Sequence, residues 1–81
     1  MYYVYVLKHP TENRIHIGFS TDLRSRIEVH KTEHPQWRLA YYEVYASEAD
    51  ARARERRLKQ YGNVQQLLKK RIMSSLADGL K

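Results

Sequence analysis

The chain has 81 residues, enough for one small hydrophobic core and too few for a two-domain enzyme, so we expect a single domain over residues 1–81. Its 42% hydrophobic and 30% charged residues, with only three glycines and two prolines, are typical of a folded domain. Fifteen Lys and Arg against nine Asp and Glu give a net charge of +6, which favours an anionic partner, nucleic acid before an anionic membrane.

The sequence lacks cysteine and long apolar segments, and each of these absences excludes some classes of protein. The sequence has no cysteine, which excludes a disulfide framework, a thiolate zinc site and a cysteine nucleophile. No stretch approaches the roughly twenty consecutive apolar residues that cross a bilayer, and no secretory signal pattern is present. We therefore expect a cytoplasmic protein.

The first twenty residues predict an antiparallel hairpin, because two alternating segments flank turn residues. Alternation divides the first strand into two faces, Tyr3, Tyr5 and Leu7 on one and Val4 and Val6 on the other. It divides the second strand in the same way, with Ile15 and Ile17 on one face and His16 and Gly18 on the other.

A helix and a third strand are predicted next. Asp22 completes an N-cap signal, and apolar residues at helical spacing follow until Pro35. Residues 37–45 then read as a strand rich in Tyr and Val. We interpret four of the seven tyrosines as half-buried strand residues, namely Tyr2, Tyr41, Tyr42 and Tyr45.

Two further helices complete the prediction. Ser47 caps a helix over residues 48–61 that Gly62 ends, and Asn63 caps another. The last helix has an apolar stripe formed by Val64, Leu67, Leu68, Ile72 and Leu76. The predicted order is β-β-α-β-α-α, an α+β (α/β layered) domain with a three-stranded, mostly antiparallel sheet flanked by helices.

The basic excess lies in one segment. Residues 51–71 carry eight Lys and Arg and a single acid, Glu55, whereas residues 1–50 have a net charge of −1. Glu55 is most simply an i,i+4 partner of Lys59. A lone carboxylate within a phosphate-attracting surface is also what Mg²⁺ requires, because this ion binds through one or two carboxylates, waters and the substrate's phosphate oxygens.

One short motif points to different chemistry. His30-Lys-Thr-Glu-His34 fits the inverted zinc-peptidase pattern, in which two histidines one helical turn apart bind zinc. Pro35 disfavours a helical backbone at His34, so we expect this geometry to fail.

Several segments in fixed order carry a family resemblance. They are Tyr3-Val4-Tyr5, His16-Ile17-Gly18 with the residues up to His30, the strand Leu39-Ala-Tyr-Tyr-Glu43, and the helix from Ser47 to Lys59. Over about residues 2–62 the chain resembles the GIY-YIG nuclease family, in particular its short stand-alone bacterial members. The resemblance implies a metal-dependent DNA endonuclease.

The resemblance also implies roles for individual residues. Tyr5 is the first-motif tyrosine, which polarises or deprotonates the attacking water, and His30 bonds to it. Arg26 contacts the scissile phosphate, where a guanidinium fork fits and stays charged. Glu55 holds Mg²⁺ or Mn²⁺, and Asn63 is a weaker candidate for a later family asparagine.

The chain departs from the family pattern at two positions. Tyr3 stands where the first motif has glycine, and His16 stands where the second motif has tyrosine. Histidine donates, accepts and titrates near neutral pH, so His16 is a candidate for proton handling. A buried, hydrogen-bonded His16 and an altered activity are the alternatives.

The leading hypothesis is therefore one-metal hydrolysis of DNA by Tyr5, His16, Arg26 and His30 with a metal on Glu55. Further phosphate contacts are expected from the cations Arg24, Arg52, Arg56 and Lys59. The main alternative is a catalytically weakened module that only binds nucleic acid through residues 52–71. Membrane or partner-helix binding by the basic stretch ranks lower. No small-molecule cofactor is expected, and a protein partner is a possible source of target choice.

Overall fold

The structure, a computed structural model, describes residues 1–78. It contains the strands β1 (Tyr2–Lys8), β2 (Ile15–Ser20) and β3 (Arg38–Tyr45). It also contains the helices α1 (Leu23–Glu33), α2 (Glu48–Gln60), α3 (Gly62–Arg71) and α4 (Met73–Asp78). The order β-β-α-β-α-α-α confirms the predicted α+β class and adds one short helix.

The sheet has the order β2-β1-β3, and both pairings of the central strand β1 are antiparallel. Tyr5 lies opposite Gly18 on one side and opposite Tyr42 on the other. Between Val6 and Leu7 the β1–β3 register shifts, so that Tyr41 and Leu39 pair with consecutive residues and Ala40 is the extra one. Leu7 and Leu39 therefore point to the same face as Tyr5.

The two faces of the sheet are covered unequally, as the alternation of β1 predicts. Val4 and Val6 belong to the main core with α2 and α3, and the other fully buried members are Ile17, Ala51, Leu58, Leu68 and Ile72. On the opposite face α1 contributes no fully buried residue. The Tyr5 face is therefore the open side of the molecule, where ligands have access.

The C-terminal third departs from the sequence prediction at four positions. Gly62 does not terminate α2 but begins α3, because Tyr61 has extended backbone and separates the two helices. Asn63 consequently lies inside the first turn of α3 and is not its N-cap. Leu67 is 66% exposed and lies off the apolar stripe. Ile72, buried with φ −111° and ψ 29°, ends α3 and separates it from α4.

A polar network fastens α2 to β3. The carboxylate of Glu43 accepts hydrogen bonds from the Tyr41 hydroxyl at 2.7 Å and the Tyr45 hydroxyl at 2.5 Å. Arg54 of α2 donates to both carboxylate oxygens, with its Nε 3.0 Å from Oε1. Burial alone would raise the pKa of Glu43, but these donors lower it below its ordinary value. Burial and the bond to Glu43 raise the pKa of Tyr41 and of Tyr45 to about 12.

We expect Glu43→Gln to lower the free energy of unfolding by about 2 kcal/mol, because Arg54 would keep a shielded charge without its partner.

The network also makes the stability of the protein depend on pH. Its contribution should be lost as pH falls through the lowered pKa of Glu43, and again as pH rises from about 10 towards 12 through the tyrosine values. Chemical denaturation across pH measures both. Glu48→Gln, whose 4.0 Å ion pair is exposed, is the control; equal losses in the two variants would refute the role given to Glu43.

Candidate active site

Tyr5 is the centre of the site. It lies in the middle of the central strand and is only 3% exposed. Its ring lies across Gly18 of β2, and a Cβ built on Gly18 would overlap the ring and its hydroxyl. Gly18 therefore has a specific function, which is to leave room for the Tyr5 ring on the face of the sheet.

Gly18→Ala should displace the Tyr5 ring and reduce stability by about 1–3 kcal/mol, because the buried ring has little room to move. Gly62→Ala is the matched control, since a Cβ there meets nothing within 4 Å and the residue is helical. That change should be neutral or stabilising by up to about 1 kcal/mol. Thermal unfolding of both variants measures the difference. Equal stability of the two variants would show that Gly18 does not shape the Tyr5 position.

His30 of α1 lies directly against Tyr5. Its Nε2 is 3.4 Å from the Tyr5 hydroxyl, and the two rings meet edge to face with centroids 6.0 Å apart. The other ring nitrogen, Nδ1, is buried without a hydrogen-bond partner among residues 1–78. The structure thus brings together Tyr5 and His30, which are 25 residues apart in the sequence.

His16 joins this pair from β2. Its ring centroid is 6.3 Å from that of Tyr5 and 5.6 Å from that of His30. Trp37 closes the other side, with its ring 6.5 Å from His16. His16 is exposed and makes no hydrogen bond in the described part of the chain, so the alternative of a buried, hydrogen-bonded histidine is wrong.

The surroundings determine how these groups titrate. Desolvation lowers the pKa of His16, and the neighbouring His30 lowers it further. Desolvation and the positive charge of Arg26 lower the pKa of His30. Burial raises the pKa of Tyr5, although Arg26 opposes this effect. At neutral pH both imidazoles are therefore neutral acceptors, whereas the phenol keeps its proton.

Arg26 and Glu55 approach the same tyrosine from two helices. Arg26 lies one turn before His30 on α1 and affects the pKa of Tyr5 and both histidines. Glu55 of α2 is close enough to Tyr5 to raise its pKa. The five residues Tyr5, His16, Arg26, His30 and Glu55 thus share one electrostatic environment, although they come from four different elements.

Glu55 is held by two cations on its own helix. Arg52 lies 3.8 Å and Lys59 3.0 Å from its carboxylate oxygens, and the Glu55 side chain is 16% exposed. The same face of α2 lies alongside strand β2. Arg52 stacks on the Phe19 ring at 3.7 Å, and the charge of Lys59 lowers the pKa of His16. A single shielded carboxylate beside phosphate-attracting cations fits Mg²⁺, which needs few protein ligands.

The comparison with models of protein families shows which family the chain belongs to. A model of the GIY-YIG catalytic domain matches residues 1–69, which include all five residues of the site. The chain belongs to the GIY-YIG family. Searches of curated proteins and of solved structures gave no significant match.

Membership of the GIY-YIG family implies a function of the nuclease type, with DNA as substrate. GIY-YIG nucleases generally depend on a divalent metal. No helix within residues 1–78 has the length and apolar character needed to span a membrane.

The zinc-peptidase pattern does not form in this GIY-YIG domain. Helix α1 ends at Glu33, and His34 has non-helical backbone with φ −138° and ψ 69°, as Pro35 predicts. No group of three or more His, Cys, Asp or Glu residues in the described part of the chain is arranged to hold a metal.

The remaining predicted residues are not part of the Tyr5–His16–His30 group. Arg24 and Arg56 are exposed cations on α1 and α2, and Tyr3 lies two positions before Tyr5 on the same face. Arg52 and Lys59, predicted as phosphate contacts, are ion-paired to Glu55. Asn63 is exposed in the first turn of α3.

Sequence reasoning missed the contribution of Trp37. Its ring contacts those of His16 at 6.5 Å and His9 at 5.2 Å, and the guanidinium of Arg14 lies 5.8 Å from its centre. It is the only tryptophan in the chain and lies four residues after the end of α1. Its position beside both histidines could not be predicted from the sequence, because it depends on the β1–β2 pairing, in which His16 lies opposite Leu7 and His9 bonds to Arg14.

Proposed function

We propose that this GIY-YIG protein is an endonuclease that hydrolyses DNA phosphodiester bonds by in-line attack of water, with one divalent metal ion, Mg²⁺ or Mn²⁺, on Glu55. The observation that carries the proposal is the contact between the Tyr5 hydroxyl and His30 Nε2, with Arg26 and Glu55 acting on the same phenol. In this proposal the acid–base side chains and Arg26 act from the Tyr5 face, and Glu55 acts from α2, which packs on the other face of the sheet beside β2.

The directions of the pKa shifts of Tyr5 and His30 suggest the path of the proton in this proposal. Because Tyr5 keeps its proton at neutral pH, it acts as a relay: its oxygen accepts a proton from water while its own proton passes to His30 Nε2. Neutral His30 is ready to accept that proton, since its pKa is lowered. His16, 5.6 Å from His30 by ring centroids, is the second acceptor of the group.

Arg26 supplies the positive charge for the reacting phosphate. Its guanidinium binds phosphate oxygens through paired N–H donors and stays charged at any working pH. Glu55 would hold the metal ion, which when bound polarises phosphate oxygens and offsets charge on the leaving oxygen. Arg24 and Arg56, which are exposed on α1 and α2, provide further phosphate contacts.

This pathway predicts an acid limb in the pH–rate profile. Protonation of His30 and His16 removes both acceptors, so kcat/KM should be flat near pH 7 and fall only below about 6.5, since both pKa values are lowered. Because the relay requires both histidines to be neutral, log kcat/KM should fall with a limiting slope of about two.

His16→Tyr tests the second acceptor in the same assay. We expect the slope of the acid limb to decrease to about one, because one titrating group is removed. An unchanged profile would exclude proton handling by His16. A wild-type limb centred above pH 7 would contradict the neutral histidines on which the relay depends.

Cleavage and binding together separate the nuclease from its alternative. Wild type is incubated with single-stranded, duplex and branched DNA in Mg²⁺ or Mn²⁺, and binding is measured on the same DNAs at increasing salt. The nuclease proposal predicts cleavage of at least one DNA. Salt-dependent binding without cleavage of any of them would instead support the nucleic-acid-binding module.

A further inference from the structure

The sheet face that carries Tyr5 also carries an uncovered apolar surface. Tyr42 lies directly opposite Tyr5 across the β1–β3 pair, and Val44 lies opposite Tyr3. Tyr42 is 45% and Val44 43% exposed. Tyr42 therefore lies in a strand, as the sequence predicts, but it is more exposed than a half-buried residue.

Tyr3 and Tyr42 form one wall of a cleft beside the proposed site. Their ring centroids are 6.2 Å apart, and the planes are tilted by 57°. The opposite wall is α1, which contributes Leu23 and Ile27, and the space between them is about 430 Å³. Tyr3 is two residues from Tyr5, so the cleft begins roughly 7 Å along the strand from the proposed catalytic phenol.

The charges of the cleft indicate what it binds. Its lining includes one cation, Arg24, and two carboxylates, Asp22 and Glu28. Asp22 is already engaged as the N-cap of α1, where it accepts from Ser25. A cleft with more acids than bases is unsuited to a phosphate, but the half-buried Tyr3 ring, the exposed Tyr42 ring and the aliphatic side chains suit a flat, uncharged aromatic ligand.

We propose that this cleft, defined by Tyr3, Tyr42, Leu23 and Ile27, binds one unpaired nucleobase of the DNA strand next to the phosphate that is cut. Stacking on Tyr42 holds the base, and Arg24 contacts the flanking backbone. The proposal rests on the nuclease function proposed above. It gives the substrate class, which is DNA with an unpaired base at the reaction site, single-stranded or branched, in preference to continuous duplex.

The test measures whether Tyr42 and one particular base act together. Anisotropy of end-labelled single-stranded DNA is recorded with EDTA, so that no cleavage occurs, for wild type and Tyr42→Ala. The DNAs form a series with a single abasic site moved along the strand. Because stacking on an aromatic side chain contributes about 1–3 kcal/mol per base, Tyr42→Ala should weaken binding of intact DNA by about 5–100-fold.

The abasic series supplies the decisive comparison. One abasic position should weaken wild-type binding by a similar factor and leave Tyr42→Ala unaffected, since the stacking partner is already gone. Tyr42→Phe, which keeps the ring, should behave as wild type, and Tyr42→Leu as Tyr42→Ala. Tyr61→Ala, at a 53% exposed tyrosine outside the cleft, controls for the loss of any surface tyrosine. Circular dichroism confirms that each variant is folded.

The outcomes separate this proposal from the nuclease assignment. If abasic sites weaken wild type and Tyr42→Ala equally at every position, or if Tyr42→Ala binds as tightly as wild type, the cleft does not bind a base, whatever the cleavage assay shows. If the coupling is found but wild type cuts no DNA, the base site stands and the nuclease assignment fails.

Discussion

Replacing Glu55 by glutamine should reduce metal-dependent DNA cleavage by about a thousandfold or more. Glutamine keeps the size of the side chain but removes the negative charge that is proposed to hold the divalent cation. It also removes the partner of Arg52 and Lys59, so DNA binding should be equal or tighter, because both cations become available to phosphate. Single-turnover cleavage and DNA binding without metal, measured on the same preparation, give the two numbers.

Glu48→Gln is the matched control for this result. Glu48 is on the same helix and also pairs with Arg52, at 4.0 Å, but it is exposed and about two helical turns further from Lys59. This variant should cut at nearly the wild-type rate. If both variants cut equally well, or if Glu55→Gln loses binding together with cleavage, Glu55 is not the metal ligand.

Tyr5→Phe should lower the cleavage rate by about a hundredfold to ten-thousandfold, the range expected when a group that transfers protons is lost. Phenylalanine keeps the ring that lies across Gly18, so the packing is preserved. Only the hydroxyl is removed, together with its 3.4 Å contact to His30. The pH–rate profile of the residual activity should lose its acid limb, because His30 no longer has a phenol to accept from.

Tyr61→Phe is the control, since Tyr61 is 53% exposed outside the proposed site and the change removes the same hydroxyl group. Its rate should be close to that of wild type. A Tyr5→Phe variant that cuts like wild type would show that another group activates the water. An unchanged acid limb in that variant would show that His30 acts without Tyr5.

The strands and their faces were predictable because they depend on a short-range pattern. Alternation in β1 separates Tyr5 from Val4 and Val6 whatever the rest of the chain does. The N-caps of α1 and α2 were predictable for the same reason, because capping depends on a few neighbouring residues. Asp22 and Ser47 each accept a hydrogen bond from the backbone N–H three residues later, as their residue types predict.

The ends of the later helices depend on tertiary packing, which the local pattern does not contain. Gly62 resembles a C-terminal stop, yet the chain turns at Tyr61 and uses the glycine to begin α3. Ile72 fits a continuous apolar stripe, but its burial in the core coincides with a break between α3 and α4. Glu43 carried a signal that sequence reasoning overlooked, because a lone charge between Tyr41 and Tyr45 needs a partner.

The candidate site, like the fold, has features that the sequence predicts and features that depend on tertiary packing. Its candidate residues were predicted from their spacing and the family resemblance, and the structure places Tyr5, His16 and His30 next to one another. The titration state of Tyr5 could not be predicted, because the direction of its pKa depends on burial against Gly18 and on the balance between Arg26 and Glu55. That direction changes the proposed role of Tyr5 from a phenolate base to a proton relay.

The most direct test of the proposed site is the cleavage of end-labelled branched and single-stranded DNA by the wild-type protein, with Mg²⁺ present and with all metal chelated. The proposed mechanism predicts strand cleavage with Mg²⁺ and none after chelation, with DNA binding retained in both conditions. Binding without cleavage in either condition, or cleavage that continues after chelation, would contradict it.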